Sequence, residues 1–207
     1  MRHFPPTGDS LNTLFVFAHG AGAGETHPFM TACASALAAH GVDVVTFNFP
    51  YMEAKRRLPD RAPVLEACFE AVVAQARALP GLAERGLFIG GKSMGGRMAT
   101  HLAAKGLDRL RGVVALGYPL HPPGKPEQLR VAHLPQIQVP VLIVQGERDT
   151  FGTPAELTPY AEAIPGGATV HVVDGGDHSL GVRGTKPEMV REAVVQRVVS
   201  WMCERRS

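Results

Sequence analysis

Ser93 is the residue of this 207-residue chain whose surroundings point most directly to chemistry. It lies in the segment GKSMG, residues 91–95, which matches the pattern G-x-S-x-G of a nucleophile elbow, a tight turn between a strand and a helix. A side chain at 91 or 95 would collide with the neighbouring strand and helix where the chain doubles back, so glycine is needed there. Because the chain holds 23 glycines, the pattern alone is weak evidence and its context has to decide.

A serine hydroxyl becomes a good nucleophile only when a base takes its proton, and that base must be oriented by a carboxylate. Asp149 and His178 supply these two groups, each directly after a predicted strand. The order along the chain is therefore Ser, Asp, His, as expected for an elbow of this type. The spacing predicts Ser93 as nucleophile, His178 as base and Asp149 as the acid that orients the base.

The tetrahedral intermediate of acyl transfer also needs hydrogen-bond donors for its oxyanion. The Met94 N–H, at the start of the helix that follows the serine, is one expected donor. The loop HGAGAG, residues 19–24, offers the second, and the Ala21 N–H is the expected one because the glycines beside it let the backbone approach closely. We expect His19 to brace this loop by hydrogen bonds rather than to transfer a proton.

Further residues at the same strand ends are candidates for contact with a substrate, although a structural role explains Tyr51, Tyr118 and Arg148 equally well. Asp177 is a second carboxylate close to the histidine in sequence. Adjacent residues rarely face each other, so a role in a turn is the better interpretation for it. The predicted substrate-binding residues are His19, Gly22, Tyr51, Tyr118 and Arg148.

Six apolar runs predict the strands that must position these residues. Strands that lose water on both faces, as in a parallel sheet, are apolar along their whole length. The predicted strands cover residues 14–18, 42–47, 87–89, 113–116, 141–145 and 169–173.

Segments with helical spacing of apolar positions alternate with these strands. The segment 117–139 is a long, proline-rich connection with at most a short helix around residues 127–131, and connections of that length usually cover a site. The predicted helices cover residues 28–40 and 64–79, one begins at Met94, and two open at capping boxes formed by Thr153 with Glu156 and by Thr185 with Glu188.

Strands that alternate with helices predict a three-layer α/β/α sandwich, a mostly parallel twisted sheet of about six or seven strands. The length fits a single domain over residues 1–207. In such sheets ligands bind at the carboxyl ends of the strands, where all the residues singled out above lie.

Composition limits the other function classes. A formal net charge of +2 and the absence of a basic stripe argue against nucleic acid as a partner. Three separated cysteines look like reduced thiols, and no apolar run has the length of a signal peptide or a membrane span. We expect a soluble, cytoplasmic protein that acts on a small-molecule acyl substrate without a membrane, metal or cofactor. Whether it forms a homodimer or joins a protein complex stays open.

The sequence argues against three other kinds of site: a phosphate-binding loop, a dinucleotide site and a metal site. The match of residues 86–93 to a phosphate-binding loop fails because its four variable positions include the strand itself. The glycines of residues 19–24 have the wrong spacing for a dinucleotide site, and no acid ends the second strand. His27, His121 and His133 show no spacing typical of metal ligands.

The whole chain resembles an α/β-hydrolase. The motifs FAHGAGAG, GGKSMGGRMA, GYPLHPPGKPE, VLIVQGERD and GGDHSL are similar to those of the small branch that includes the testis-expressed and NSL-complex-subunit-3-like proteins, related more distantly to dienelactone hydrolases. The resemblance implies a Ser93, Asp149, His178 triad that cleaves an ester or thioester. Because the branch also contains proteins that act as parts of complexes, a non-catalytic interaction module is the alternative. The short N-terminus implies a trimmed sheet, and the lack of a large helical cap implies an open, shallow site.

Overall fold

The structure of the chain is a computed structural model that describes residues 1–205, in which seven strands form one sheet. The order across the sheet is β1-β3-β2-β4-β5-β6-β7; β1 runs antiparallel to β3, and all the other neighbours are parallel. The strands are β1 Arg2–Phe4, β2 Thr13–Ala18, β3 Val42–Phe47, β4 Gly86–Lys92, β5 Leu110–Leu116, β6 Val141–Gly146 and β7 Ala168–Val173.

The six apolar runs form β2 to β7, which confirms the predicted fold class of a mostly parallel sheet with helices on both sides. Every residue of β2, β3 and β6 is buried, as the continuous apolar runs predict for strands covered on both faces. β1 was not predicted, because three residues that are largely exposed at a sheet edge carry no apolar run. Its antiparallel pairing with β3 extends the sheet at the edge predicted to be trimmed.

Helices cover both faces of the sheet. One apolar core lies between the sheet and α3, α4 and α5, and the other lies between the sheet and α1 and α6. The helices are α1 Pro28–Ala39, α2 Pro50–Glu53, α3 Ala62–Arg77, α4 Met94–Ala104, α5 Pro154–Glu162 and α6 Pro187–Cys203, with a 3-10 turn at Leu134–Gln136.

One predicted capping box is confirmed and the other is wrong. The Thr153 side chain accepts from the Glu156 N–H, and the Glu156 carboxylate accepts from the Thr153 N–H, at the start of α5. At α6 the cap is Lys186, because Pro187 occupies the first helical position. The Thr185 N–H instead donates to the Val182 carbonyl, outside the helix.

The connection over residues 117–139 also differs from its prediction. No helix forms at residues 127–131; the Arg130 N–H donates to the Leu120 carbonyl, so that backbone group is not available to a helix. The only helical turn in the connection is the 3-10 turn further along. Among residues 1–205 no helix is both long and apolar enough to cross a membrane.

Candidate active site

The turn between β4 and α4 has the backbone geometry of a nucleophile elbow. Ser93 has a φ of 51° and a ψ of −115°, a conformation that costs energy for a residue with a side chain. A Cβ at Gly91 would lie 2.5 Å from the Ala18 carbonyl oxygen, and one at Gly95 would lie 2.4 Å from the same atom. The predicted collisions are therefore confirmed, and glycine at both positions lets the turn pack against the end of β2.

Ser93, His178 and Asp149 form a continuous line of hydrogen bonds. His178 Nε2 lies 2.9 Å from Ser93 Oγ, and His178 Nδ1 lies 3.0 and 2.8 Å from the two carboxylate oxygens of Asp149. Because an ionised carboxylate can only accept, Nδ1 carries the proton and Nε2 is left as the acceptor for the serine hydroxyl. This arrangement lets a proton pass from the serine to the imidazole.

The Asp149 carboxylate is buried, with 1% of the residue exposed, and its orientation is fixed by two further donors. The Phe151 N–H donates to Oδ1 at 2.8 Å, and the Gln145 side-chain amide donates to Oδ2 at 2.9 Å. These donors satisfy a buried charge that would otherwise be costly. Gln145 was missed in the sequence, where its one signal is a polar residue inside the apolar run of β6.

Gln145 also holds the loop after β5. Its side-chain oxygen accepts from the Tyr118 N–H at 2.7 Å, and its amide donates to the carbonyls of Tyr118 and Gly152 at 3.1 and 2.7 Å. Tyr118 is fully buried, and its hydroxyl donates to the Arg130 carbonyl at 2.7 Å. Its predicted contact with substrate is therefore wrong, and the structural interpretation describes it.

The loop after β2 packs against the serine, with the Cβ position of Gly20 lying 3.6 Å from Ser93 Cβ. His19 is fully buried beneath it. His19 Nε2 accepts from the Phe49 N–H at 3.0 Å, so Nδ1 carries the proton and donates to the Gly20 carbonyl at 2.7 Å. Burial lowers the pKa of His19 and favours this neutral form.

The Tyr51 hydroxyl also holds the loop after β2. It donates to the Ala21 carbonyl at 2.9 Å and lies 3.4 Å from the Gly20 carbonyl. In a trans peptide the C=O and the N–H point in opposite directions. The Gly20 carbonyl points to His19, so the N–H of the same peptide, which belongs to Ala21, points away from the protein interior. His19 and Tyr51 are buried positioning residues, and their predicted contact with substrate is wrong.

The remaining candidates lie in different places. Gly22 lines the cavity, but the space around its Cβ position is open, so no close approach requires a glycine there. Arg148 is exposed outside the cavity wall, and its N–H donates to the Gly176 carbonyl. Asp177 is exposed in a turn, where it accepts from the N–H groups of Ser179 and Gly181 at 2.8 and 2.9 Å.

Two residues outside the predicted triad contact His178. The Phe151 ring stacks on the imidazole with a centroid distance of 4.1 Å. The Lys92 ammonium donates to the His178 carbonyl, which ties the histidine loop to the end of β4. Burial lowers the pKa of Lys92 to about 8, against the attraction of the Asp149 and Asp177 carboxylates.

Ser93 opens into a cavity of about 600 Å³ whose wall includes residues from both sides of the sheet. On the α1 face its wall is formed by Phe29 and Met30, and on the α4 face by Leu65, Arg97 and Arg130. The connection over residues 117–139 contributes to this wall. A second cavity of about 360 Å³, between α1 and α6, shares Phe29 and Ser179 with the first.

The predicted oxyanion donors line this cavity beside Ser93. The Met94 N–H is the first of α4, where helical N–H groups have no acceptor within the helix. Neither it nor the Ala21 N–H donates to a backbone acceptor within residues 1–205. Within that range no three His, Cys, Asp or Glu side chains are grouped for a metal ion; His133 bonds the Thr100 hydroxyl at 2.8 Å.

Comparison with known proteins gives one family and many similar folds. The family model described as alpha/beta hydrolase domain matches residues 11–205. Dienelactone hydrolase from Anabaena variabilis has a TM-score of 0.79 and 19% identity, with 99% of this chain and 91% of that chain covered. Est1E from Butyrivibrio proteoclasticus, solved with ferulic acid, has a TM-score of 0.77 and 15% identity over 99% and 94% of the chains. XC6422 from Xanthomonas campestris, described as a serine hydrolase without lid, has a TM-score of 0.74 and 19% identity over 97% and 87%.

Proposed function

This chain belongs to the alpha/beta hydrolase domain family, and from that premise we propose that it is a serine hydrolase that cleaves an ester or thioester through an acyl-enzyme intermediate. The observation that carries the proposal is the line of hydrogen bonds from Ser93 Oγ through His178 to the buried Asp149. The strained elbow beneath the serine supports it, because such a conformation persists at functional sites.

In the first half of the proposed reaction, Ser93 Oγ attacks the carbonyl carbon while its proton passes to His178 Nε2. The carbonyl oxygen becomes an oxyanion that accepts hydrogen bonds from the Met94 and Ala21 N–H groups. When the intermediate collapses, the bond from the carbonyl carbon to the leaving oxygen or sulfur breaks. His178 returns the proton to the leaving alcohol or thiol, and Ser93 carries the acyl group as an ester.

In the second half, a water molecule takes the place of the serine hydroxyl. His178 Nε2 accepts a proton from the water as its oxygen attacks the acyl carbon, and the same N–H groups hold the second oxyanion. Collapse breaks the bond to Ser93 Oγ, which recovers its proton from His178, and the free acid leaves. Asp149 stabilises the imidazolium in both halves without taking its proton.

The Ser93→Ala variant tests the proposal on p-nitrophenyl hexanoate and on a hexanoyl thioester. We expect hydrolysis of at least one by the native protein and a loss of about 10⁴-fold or more in the variant, with the fold checked by circular dichroism. Ser200→Ala, on the exposed side of α6, is the matched control and should keep the native rate.

Activity that persists in Ser93→Ala would reject the proposed nucleophile. A folded native protein that hydrolyses neither compound would favour the alternative, an interaction module in a protein complex, to which the motif resemblance to the NSL-complex-subunit-3-like branch also extends.

A further inference from the structure

Two arginines line the cavity on the α4 face of the sheet. Arg97 lies four residues after Ser93, one helical turn along α4, so both residues are on the same side of that helix. Arg130 comes from the connection after β5. Both side chains are half-buried, and both contribute to the wall of the cavity that holds Ser93.

Neither guanidinium has a counter-charge in the part of the chain that the structure describes. Among residues 1–205 neither forms an ion pair, and Arg97 Nε is buried without a hydrogen-bond partner. The Arg130 side chain makes one long contact of 3.5 Å to the Pro119 carbonyl. Burial and the charge of Arg97 lower the pKa of Arg130, so the two cations oppose each other. Both remain charged because arginine is protonated throughout the working pH range.

The other charged groups of the cavity wall form their contacts away from Arg97 and Arg130. The Lys92 ammonium donates to the His178 carbonyl. Asp60 is the one carboxylate of this wall among residues 1–205; its Oδ1 accepts from Arg56 at 2.7 Å, its Oδ2 is buried without a hydrogen-bond partner, and it forms no ion pair with Arg97 or Arg130. Burial raises the pKa values of Tyr51 and Cys68, and the Asp60 charge raises them further. Asp60 therefore lies on the side of the cavity toward α2 and α3. A carboxylate between Arg97 and Arg130 would relieve their repulsion and supply acceptors for planar guanidinium donors.

The position of the histidine indicates which part of a substrate meets the arginines. His178 gives its proton to the leaving group, so the leaving group lies beside the histidine. Ser179, the next residue, lines the second cavity together with Phe29 of α1. The leaving group is thereby directed to the α1 face, where Phe29 and Met30 line the first cavity, and the acyl group to the α4 face, where Arg97 and Arg130 lie.

We propose that the cavity selects esters or thioesters whose acyl part carries a free carboxylate at its far end, bound by Arg97 and Arg130. This inference rests on the proposed serine hydrolase function. It identifies a substrate class, half-esters of dicarboxylic acids, and assigns the two arginines as residues that determine specificity.

Matched ester pairs test the proposal. The mono-p-nitrophenyl esters of adipic and suberic acid differ from p-nitrophenyl hexanoate and octanoate only in a terminal carboxylate. We expect the native protein to favour the charged member of at least one pair by about 10-fold or more in kcat/KM, because hydrogen bonds to charged groups are strong. The preference should shrink as ionic strength rises.

Charge-removing variants locate the effect. Arg97→Gln and Arg130→Gln should each lower kcat/KM for the preferred charged ester by about 10- to 100-fold and change the neutral ester by less than about 3-fold. Arg57→Gln, an exposed arginine outside the cavity wall, removes the same charge and should leave the preference unchanged. Equal losses on both esters would overturn the proposal, as would a native protein with no preference for either charged ester.

A carboxylate on the leaving group tests the orientation. The hexanoyl ester of 4-hydroxybenzoate is compared with phenyl hexanoate; selective loss on this pair in the arginine variants, instead of on the dicarboxylic half-esters, would overturn the assignment of the acyl side.

A binding measurement separates this inference from the proposed function. Adipate is titrated by calorimetry into Ser93→Ala, and the arginine variants are made in the same background. Binding that is lost with Arg97→Gln or Arg130→Gln and kept with Arg57→Gln supports the anion site even if no ester is hydrolysed. Absence of adipate and suberate binding, in a protein that hydrolyses neutral esters, removes the anion site and leaves the hydrolase.

Discussion

The two sides of Ser93 differ in how their polar groups are satisfied. On the histidine side, His178, Asp149 and Gln145 form a network in which each buried donor or acceptor has a partner within the chain. On the guanidinium side, Arg97 and Arg130 have no counter-charge among residues 1–205, and a buried nitrogen of Arg97 has no partner.

This difference separates two tasks. A network that satisfies itself fixes the positions of the groups that react, because any other orientation would leave a buried charge unpaired. On the guanidinium side, the proposed carboxylate of the substrate would supply the missing partner. Changes on the histidine side should therefore affect every substrate, whereas changes on the guanidinium side should affect only charged ones.

The largest effect is expected from His178→Ala, which removes the proposed base. The kcat on neutral and charged esters alike should fall by about 10⁴- to 10⁶-fold, because the serine loses the proton acceptor proposed for it. His171→Ala, on β7 but outside the cavity wall, is the control and should change kcat by less than about 3-fold. If His178→Ala lost activity on only one class of ester, the expected difference between the two sides of Ser93 would be contradicted.

The next largest loss of kcat is expected from Asp149→Asn, which is compared with Asp177→Asn. Asp149→Asn should lower kcat by about 10²- to 10⁴-fold with little change in KM, because the interaction with the imidazolium forms mainly in the transition state. Asp177→Asn should cost much less, since its carboxylate accepts only from backbone groups of its own turn. Both are measured on one ester with folding checked by circular dichroism; a larger loss at 177 would make Asp177 the acid.

A smaller loss of kcat is expected when a contact that holds the loop with the Ala21 N–H is removed. Tyr51→Phe removes a hydroxyl that holds the Ala21 carbonyl, and kcat should fall by about 10-fold, less than for loss of a whole oxyanion donor. Tyr118→Phe removes the hydroxyl of a second fully buried tyrosine, bound to a carbonyl away from that loop. We expect both variants to lose about 1 kcal/mol of unfolding free energy. Equal kcat values in the two would contradict the role of Tyr51.

The smallest effect on hydrolysis, and the clearest on stability, is expected from Lys92→Met. The pKa of Lys92 is about 8 in the folded protein and has a reference value of 10.5, so between these pH values the unfolded chain binds the extra proton. The native free energy of unfolding should therefore rise with pH, relative to the variant, from about pH 8 to about 10.5. Urea unfolding of both proteins across this window measures the difference; parallel curves would show that Lys92 titrates normally.

Much of the architecture could be predicted because it depends on local pattern. Buried parallel strands are apolar along their whole length, so β2 to β7 were found, and the elbow glycines follow from steric clashes with β2. β1 was missed because it is a short edge strand with an exposed sequence. The start of α6 was placed wrongly because Pro187 outweighed the capping pattern at Thr185.

The site was predicted less completely than the fold. Chain order at strand ends was enough to select Ser93, Asp149 and His178, which the structure brings within hydrogen-bond distance. Proximity to a strand end does not give the direction of a side chain, so Tyr51 and Tyr118 were expected in the cavity and lie buried beneath it.

Residues joined only by the tertiary fold could not be paired from the sequence. The Gln145 side chain bonds the loop after β5, and Arg97 and Arg130 line the same cavity although they are 33 residues apart. The one local signal for Arg97 is its place one helical turn after the serine.

The central claim, that Ser93 is a nucleophile activated by His178, is tested most directly by a fluorophosphonate probe, which forms a covalent bond with an activated serine. The purified protein is labelled, digested and mapped by mass spectrometry, beside Ser93→Ala and His178→Ala. The account predicts a label on Ser93 in the native protein, none in Ser93→Ala and greatly slowed labelling in His178→Ala. A label that maps elsewhere, or labelling unchanged in either variant, would contradict it.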